Sequence, residues 1–326
     1  MAHDHRATEM RGRRAARQGD ASDDADPPRD ADASSALGGF RLPTWWRRAG
    51  TIAGILLLLA ALFMVVRSPE PAKAMAVAAR GDPLLLVALP LLVLVNVVST
   101  AEVFRALMRR FGRVGRLEMI ELMAASTLLN FVPMRPGLVG RVVWHSKMND
   151  IAARHSVRTI VESIAIGAGC VASIVAALLC APLLPHWSTM SLAIAAPFGP
   201  ALAALLVPAL RPFALACAAR AVDLLVWGLR YHIAFQLVGS PIAPEAALAI
   251  ASAATMASLI PIAGNGLGIR EWTIGLLAPV LAGADLDAGL TADLVNRAAE
   301  ILAMTPAGLA ALAALYRRAR LRRPGG

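Results

Sequence analysis

Two short segments of this chain place arginine, glycine and proline together inside apolar sequence, and any chemistry would be concentrated there. The first is Leu129-Asn130-Phe131-Val132-Pro133-Met134-Arg135-Pro136-Gly137-Leu138-Val139-Gly140-Arg141. A guanidinium presents a planar fork that binds phosphate through two hydrogen bonds. Arg135 and Arg141, on a Pro/Gly-rich turn at the end of a half-helix, could therefore grip a lipid phosphate from the cytoplasmic side. The competing reading makes them interfacial anchors, as Lys147, Arg154 and Arg158 would be. The second segment is Ile260-Pro261-Ile262-Ala263-Gly264-Asn265-Gly266-Leu267-Gly268-Ile269-Arg270-Glu271. Gly264, Gly266 and Gly268 leave backbone N–H groups uncovered just before a new half-helix. The N-terminal dipole of that half-helix favours an anion, and Arg270 adds a full charge. A flexible turn, with Arg270 and Glu271 paired to each other or hydrated, is the alternative. No dinucleotide-binding fingerprint is implied, because that needs a preceding strand in a βαβ unit.

Ionisable residues also occur inside apolar stretches: Glu162, Arg220, Asp223, Arg297 and Glu300, with Arg230 and His232 nearer a span end. Each costs about 2.5–3.5 kcal/mol at a membrane-helix centre, so all are expected to face the bundle interior. The i,i+3 spacing of Arg220 with Asp223 and of Arg297 with Glu300 puts each pair on one helix face, where the charges can neutralise each other. Such pairs, with Glu271, are either structural or proton-linked. Glu162 has Arg158 one turn away and could instead meet Arg135 or Arg270 across the bundle. Cys170, Cys180 and Cys217 show no metal or redox spacing and read as small apolar residues. His3 and His5 have no preformed site around them. With no HExxH, GxSxG or phosphate-loop motif, no catalytic group, metal or cofactor is expected.

The elements that must position these residues are membrane helices. Of 326 residues, 57% are hydrophobic and 17% charged, with mean hydropathy +0.61, which argues against a soluble globular domain. Unbroken apolar runs of membrane thickness exclude an outer-membrane barrel. Spans are expected at about 49–66, 83–104, two within 159–210 around Pro182, Pro185 and His186, 213–238 and 290–316. Met119–Met134 and the pair Ala246–Ile262 and Glu271–Gly283 are too short or too broken for simple spans. Six full crossings plus two re-entrant helical hairpins are preferred over eight crossings. Five arginines between Arg105 and Arg116, and five more between Arg317 and Arg323, put those ends in the cytoplasm. The net charge of +10 thus reflects membrane edges and not nucleic-acid binding. Residues 1–48 carry nine basic and eight acidic side chains without apolar periodicity and read as a disordered cytoplasmic tail. Residues 49–316 form the transmembrane domain and 317–326 a basic cytoplasmic tail.

Together, the two broken-helix motifs resemble the transmembrane domain of the lysylphosphatidylglycerol synthase family, also called the flippase-like domain family, over about residues 50–316. Pro261 to Glu271 is similar to the family's Gly-x-Gly-x-Arg-Glu signature. Pro133 to Gly137 with Arg141 looks like its Pro-x-Arg-x-Gly-Glu-x-x-Arg. Arg135, Arg141, Arg270 and Glu271 fall on motif positions, and Glu162 matches the acidic residue of the following helix. Leu138 stands where the family has Glu, and Ser163 where Arg is common. The resemblance implies the membrane half alone, without the tRNA-dependent transferase domain, in a bacterial inner membrane. Its expected function is translocation of an anionic phospholipid or polyprenyl-phosphate-linked precursor, with Arg135, Arg141, Gly264, Gly266, Gly268 and Arg270 at the headgroup. The alternatives are a non-catalytic partner in an envelope-lipid pathway and an intramembrane headgroup-modifying enzyme with Glu162 or Glu271 as base. Protein partners do not follow from the sequence.

Overall fold

The computed structural model describes residues 83–131, 135–180, 183, 185–259 and 268–321. The N-terminal tail, the span expected at 49–66, Gly264 and Gly266 lie outside them. Every regular element among the described residues is helical. In chain order these are α1 (Pro83–Met108), α2 (Arg116–Leu129), α3 (Pro136–Met148), α4 (Ala153–Cys180), α5 (His186–Ala195), α6 (Gly199–Leu206), α7 (Arg211–Leu237), α8 (Pro244–Leu259), α9 (Ile269–Ala282) and α10 (Leu286–Leu321).

Four of them are long and apolar enough to cross a membrane: α1, α4, α7 with its preceding turn, and α10. They have the outward-facing apolar surface that a bilayer requires and water penalises. Leu84, Val87, Val161, Leu179, Leu229 and Leu302 all point away from the bundle. These helices coincide with four of the expected spans.

The other expected span, after Pro185, is not a continuous helix. α5 and α6 are separated by a 3-10 turn at Ala196–Phe198, and a second such turn, Pro208–Leu210, precedes α7. Pro197, Pro200 and Pro208 each lack an N–H and restrict the residue before them, which interrupts the helix at these points. The apolar stretch Met190–Leu206 is accordingly shorter than a span.

The two segments that resisted assignment are helix pairs. α2 and α3 have 14 and 13 residues, α8 and α9 have 16 and 14, all short of the roughly 20 that span hydrocarbon. α3 starts at Pro136, a residue suited to the first helical turn, after Arg135 in a left-handed conformation (φ 50°). Gly268 caps α9 at φ 80°, where a side chain would be strained. Close backbone approach packs the pairs onto the long helices. A Cβ at Gly289 of α10 would lie 2.7 Å from the Ala278 Cβ of α9, and one at Gly308 would lie 2.5 Å from the Leu128 Cβ of α2. Small residues serve membrane helix contacts in this way.

One end of the bundle is rich in ion pairs. Arg318 of α10 bonds Glu121 of α2 (2.8 Å), Arg116 bonds Glu102 of α1 (2.5 Å), and Arg110 bonds Glu162 of α4. The arginine-rich segment after α1 and the C-terminal end of α10 therefore lie at the same end. α10 also runs to Leu321, beyond the expected end of the span.

Candidate functional site

The interior of the bundle holds a chain of buried polar groups contributed by α1, α7, α9 and α10. Arg220 donates to Asp223 (2.9 Å), and Asp223 also accepts from Asn96 Nδ2 (2.8 Å). Asn96 Oδ1 accepts from Arg230 (2.9 Å), and Arg230 donates in turn to Glu300 (2.6 Å) and to Asn296 Oδ1 (2.8 Å). Glu300 accepts a second arginine, Arg270 (3.1 Å), whose Nε pairs with Asp293 (3.0 Å). Tyr231 donates its hydroxyl to Asp293 (2.7 Å). Beside this chain, Arg297 Nε lies 2.6 Å from Glu271 Oε1. The contact is short, but the two groups are not aligned as a hydrogen bond; we read it as an ion pair. Four arginines and four carboxylates thus balance in a region where Arg230, Arg270, Glu271 and Asp293 are at most 1% exposed. Leaving any one charge without its counter-ion would be costly.

These contacts revise several pairings expected from spacing. Arg220 and Asp223 do pair along their own helix. Arg297 and Glu300 do not form the expected ion pair: Arg297 goes to Glu271, and Glu300 to Arg230 and Arg270. Arg270 and Glu271 do not pair with each other either. Successive side chains on a helix leave it about 100° apart, so the two reach different partners on α10. Glu162 meets Arg158 (2.9 Å) as expected and also Arg110, but neither Arg135 nor Arg270. Arg230 lies toward the C-terminal end of α7, as expected. It is fully buried, stacked over Trp227 at 4.1 Å, and central to the network.

A cavity of about 240 Å³ opens beside this network. Its charged lining is Arg220, Asp223, Arg230 and Glu300; Asn96, Thr100, Thr127, Thr255 and Ser258 add neutral polar groups; Trp227 and Phe131 add rings. The two broken-helix pairs meet at its edge, where Arg135 Nη2 donates to the Ser258 carbonyl of α8 (2.6 Å). Arg141, on α3, is buried over the ring of Phe104 (4.3 Å), with one guanidinium nitrogen against Met123 Sδ (3.1 Å). Among the described residues no carboxylate comes within salt-bridge distance of it, and its Nε has no partner. Arg220 is close enough to act on it as a like charge. Ser126 Oγ and Arg220 Nε are likewise buried without partners.

Of the residues expected at a headgroup, Arg135 borders the cavity and Arg141 lies buried in the adjoining hairpin. Gly268 caps α9, and Arg270 is instead sequestered between Asp293 and Glu300. Ser163, at the position where the resembled pattern has Arg, accepts a hydrogen bond from Arg220 (2.7 Å). Sequence reasoning missed Asn96, Tyr231, Asp293 and Asn296. The last two were detectable: Asp293, Asn296, Arg297 and Glu300 follow the i, i+3, i+4, i+7 rule that defines one helix face. Comparison with protein-family models, curated proteins and solved structures finds no match.

Proposed function

We propose that the chain translocates the head group of an anionic phospholipid or lipid-linked precursor across a bacterial inner membrane, using the cavity as the crossing point. The proposed topology has six crossings, counting the stretch expected at 49–66 and the interrupted α5–α6 segment, and two re-entrant helix pairs, with both termini in the cytoplasm. The observation that carries the reading is Arg141, a buried guanidinium with no carboxylate partner among the described residues, in the α2–α3 pair whose neighbouring Arg135 bonds the cavity-lining Ser258. A buried cation without a counter-ion costs several kcal/mol, and a bound phosphate relieves that cost. Arg135, at the junction of the two breaks, adds a second guanidinium at the cavity's edge. Arg270 acts in this scheme through Glu300, by fixing the carboxylate that holds Arg230 in the cavity wall.

The cavity is smaller than the roughly 300–1,000 Å³ clefts that bury whole drug-sized ligands, so it suits a head group whose acyl chains remain in the bilayer. Native mass spectrometry of the protein purified in mild detergent tests the binding half of the proposal. The wild type is expected to retain an anionic lipid that Arg141→Gln loses, while Arg154→Gln, at an exposed arginine, retains it. Equal retention by Arg141→Gln would remove the basis for a headgroup site at α3.

A further inference from the structure

A second cavity lies at the end of the bundle away from the arginines. It measures about 360 Å³, larger than the interior cavity, and shares no lining residue with it. α7 runs antiparallel to α1, since Ala216 clusters with Leu107 and Leu237 with Leu89. The C-terminal end of α7 and the start of α8 therefore sit opposite the arginine-rich segment that follows α1. Between them and α5 the cavity is walled mainly by hydrocarbon: Ala193 and Ile194 of α5, Leu225 and Leu229 of α7, and Leu248 of α8. Ile194 and Leu229 are exposed, so this wall is continuous with the lipid-facing surface.

The polar part of the lining, His232 and Glu245, is set toward the bundle end. Leu225 lies seven residues before His232, about 10 Å deeper along α7. Gln236 Nε2, an amide nitrogen that can only donate, is 3.0 Å from His232 Nε2. The ring proton is thereby placed on Nδ1, which is buried and has no partner. A buried donor without an acceptor is costly. Glu245, in the first turn of α8, is half-buried and forms no ion pair with any described residue. Asp285 and Asp287, before and at the start of α10, make the same end acidic, and no exposed Lys or Arg lies there among the described residues.

We propose that this cavity holds an acyl chain of a net-neutral aminophospholipid, with an ester carbonyl accepting from His232 Nδ1 and the ammonium donating to Glu245. Hydrocarbon, then an acceptor, then a positively charged donor is the order in which such a lipid meets the wall from its depth to its mouth. An anionic head would face a carboxylate with no counter-ion, and a neutral alcohol would leave Glu245 unmatched. The volume, near the low end of the roughly 300–1,000 Å³ range of ligand clefts, suits one chain and not a whole lipid. The site stands independently of the interior headgroup site.

The test is a native mass-spectrometric titration of the full-length protein with phosphatidylethanolamine, phosphatidylcholine and phosphatidylglycerol. The wild type is expected to bind phosphatidylethanolamine about fivefold more tightly than phosphatidylcholine, whose quaternary ammonium has no N–H to donate. Glu245→Gln, at a half-buried position, should remove that preference, whereas His232→Phe should weaken both lipids, because both carry the ester. Arg141→Gln should leave phosphatidylethanolamine unchanged and reduce phosphatidylglycerol, which keeps the two sites distinguishable. Equal binding of phosphatidylethanolamine and phosphatidylcholine by the wild type, or a phosphatidylethanolamine affinity untouched by Glu245→Gln, would overturn the proposal. Loss of phosphatidylethanolamine in Arg141→Gln but not in Glu245→Gln would overturn it in favour of the interior site alone.

Discussion

Glu300→Ala is expected to be among the most destabilising single substitutions in the chain. Glu300 is the only carboxylate that pairs with Arg230 among the described residues, and it also serves Arg270. Its removal leaves Arg230, 1% exposed, with only the amide oxygens of Asn96 and Asn296 and the face of Trp227. Breaking a buried ion pair from one side costs about 3–5 kcal/mol, because the remaining charge stays desolvated. That corresponds to a fall in melting temperature on the order of 10 °C, measurable by tryptophan fluorescence in detergent. Two comparisons separate this cause from general damage. Adding Arg230→Met to Glu300→Leu removes the orphaned cation and leaves Arg270 with Asp293, so the double variant is expected to be more stable than Glu300→Leu alone. Arg318→Ala breaks a pair at the bundle end whose arginine is 40% exposed and is expected to cost no more than about 1 kcal/mol. Glu300→Ala melting with the wild type would mean that the interior network is hydrated and not closed.

Gly137→Ala is expected to disrupt the α2–α3 hairpin. A Cβ at this position would lie 2.1 Å from the Ser126 carbonyl oxygen and 2.7 Å from both Asn130 Oδ1 and Ser126 Oγ. The nearest of these is backbone, so relief requires α2 and α3 to separate and not merely a rotamer change. Overpacking typically costs about 1–3 kcal/mol, and this geometry belongs at or above the upper end of that range. Separation would also displace Arg141, so lipid retention is expected to fall with stability. Gly140 is a stringent control on the same helix: nothing lies within 4 Å of its Cβ position and it is exposed. Gly140→Ala should be neutral or add up to about 1 kcal/mol, because alanine is the better helix former. Thermal melts of the two variants side by side decide the point, and equal stability would contradict the tight α2–α3 contact.

How much of this was legible in sequence follows from what each signal encodes. Hydropathy over about 20 residues reports whether a segment can face lipid, and it located α1, α4, α7 and α10. It also gave the stretch after Pro185 as a span, because an average over apolar residues does not register where Pro197 and Pro208 interrupt the hydrogen bonding. The i,i+3 rule concerns neighbours on one helix and was correct for Arg220 with Asp223. It failed for Arg297 with Glu300 because α9 and α7 bring other charges closer, and no local spacing encodes that packing. Asn96 shows the same limit, as an isolated amide in α1 whose role exists only through Asp223 and Arg230 on another helix. Arg141 was recognisable as a candidate from its residue type and motif. Its status as an uncompensated buried charge emerges only from the folded bundle.

Headgroup translocation is tested most directly in proteoliposomes that contain a tail-labelled fluorescent anionic phospholipid, with a membrane-impermeant quencher added outside. Wild-type protein is expected to make the inner-leaflet fraction accessible to the quencher. Arg141→Gln should reduce the rate by roughly tenfold or more, the loss expected when about 1.4 kcal/mol or more of headgroup interaction is removed. Arg154→Gln, reconstituted in the same amount, should match the wild type. Accessibility no greater than in protein-free vesicles, or equal rates for the wild type and Arg141→Gln, would contradict passage of the head group through the cavity.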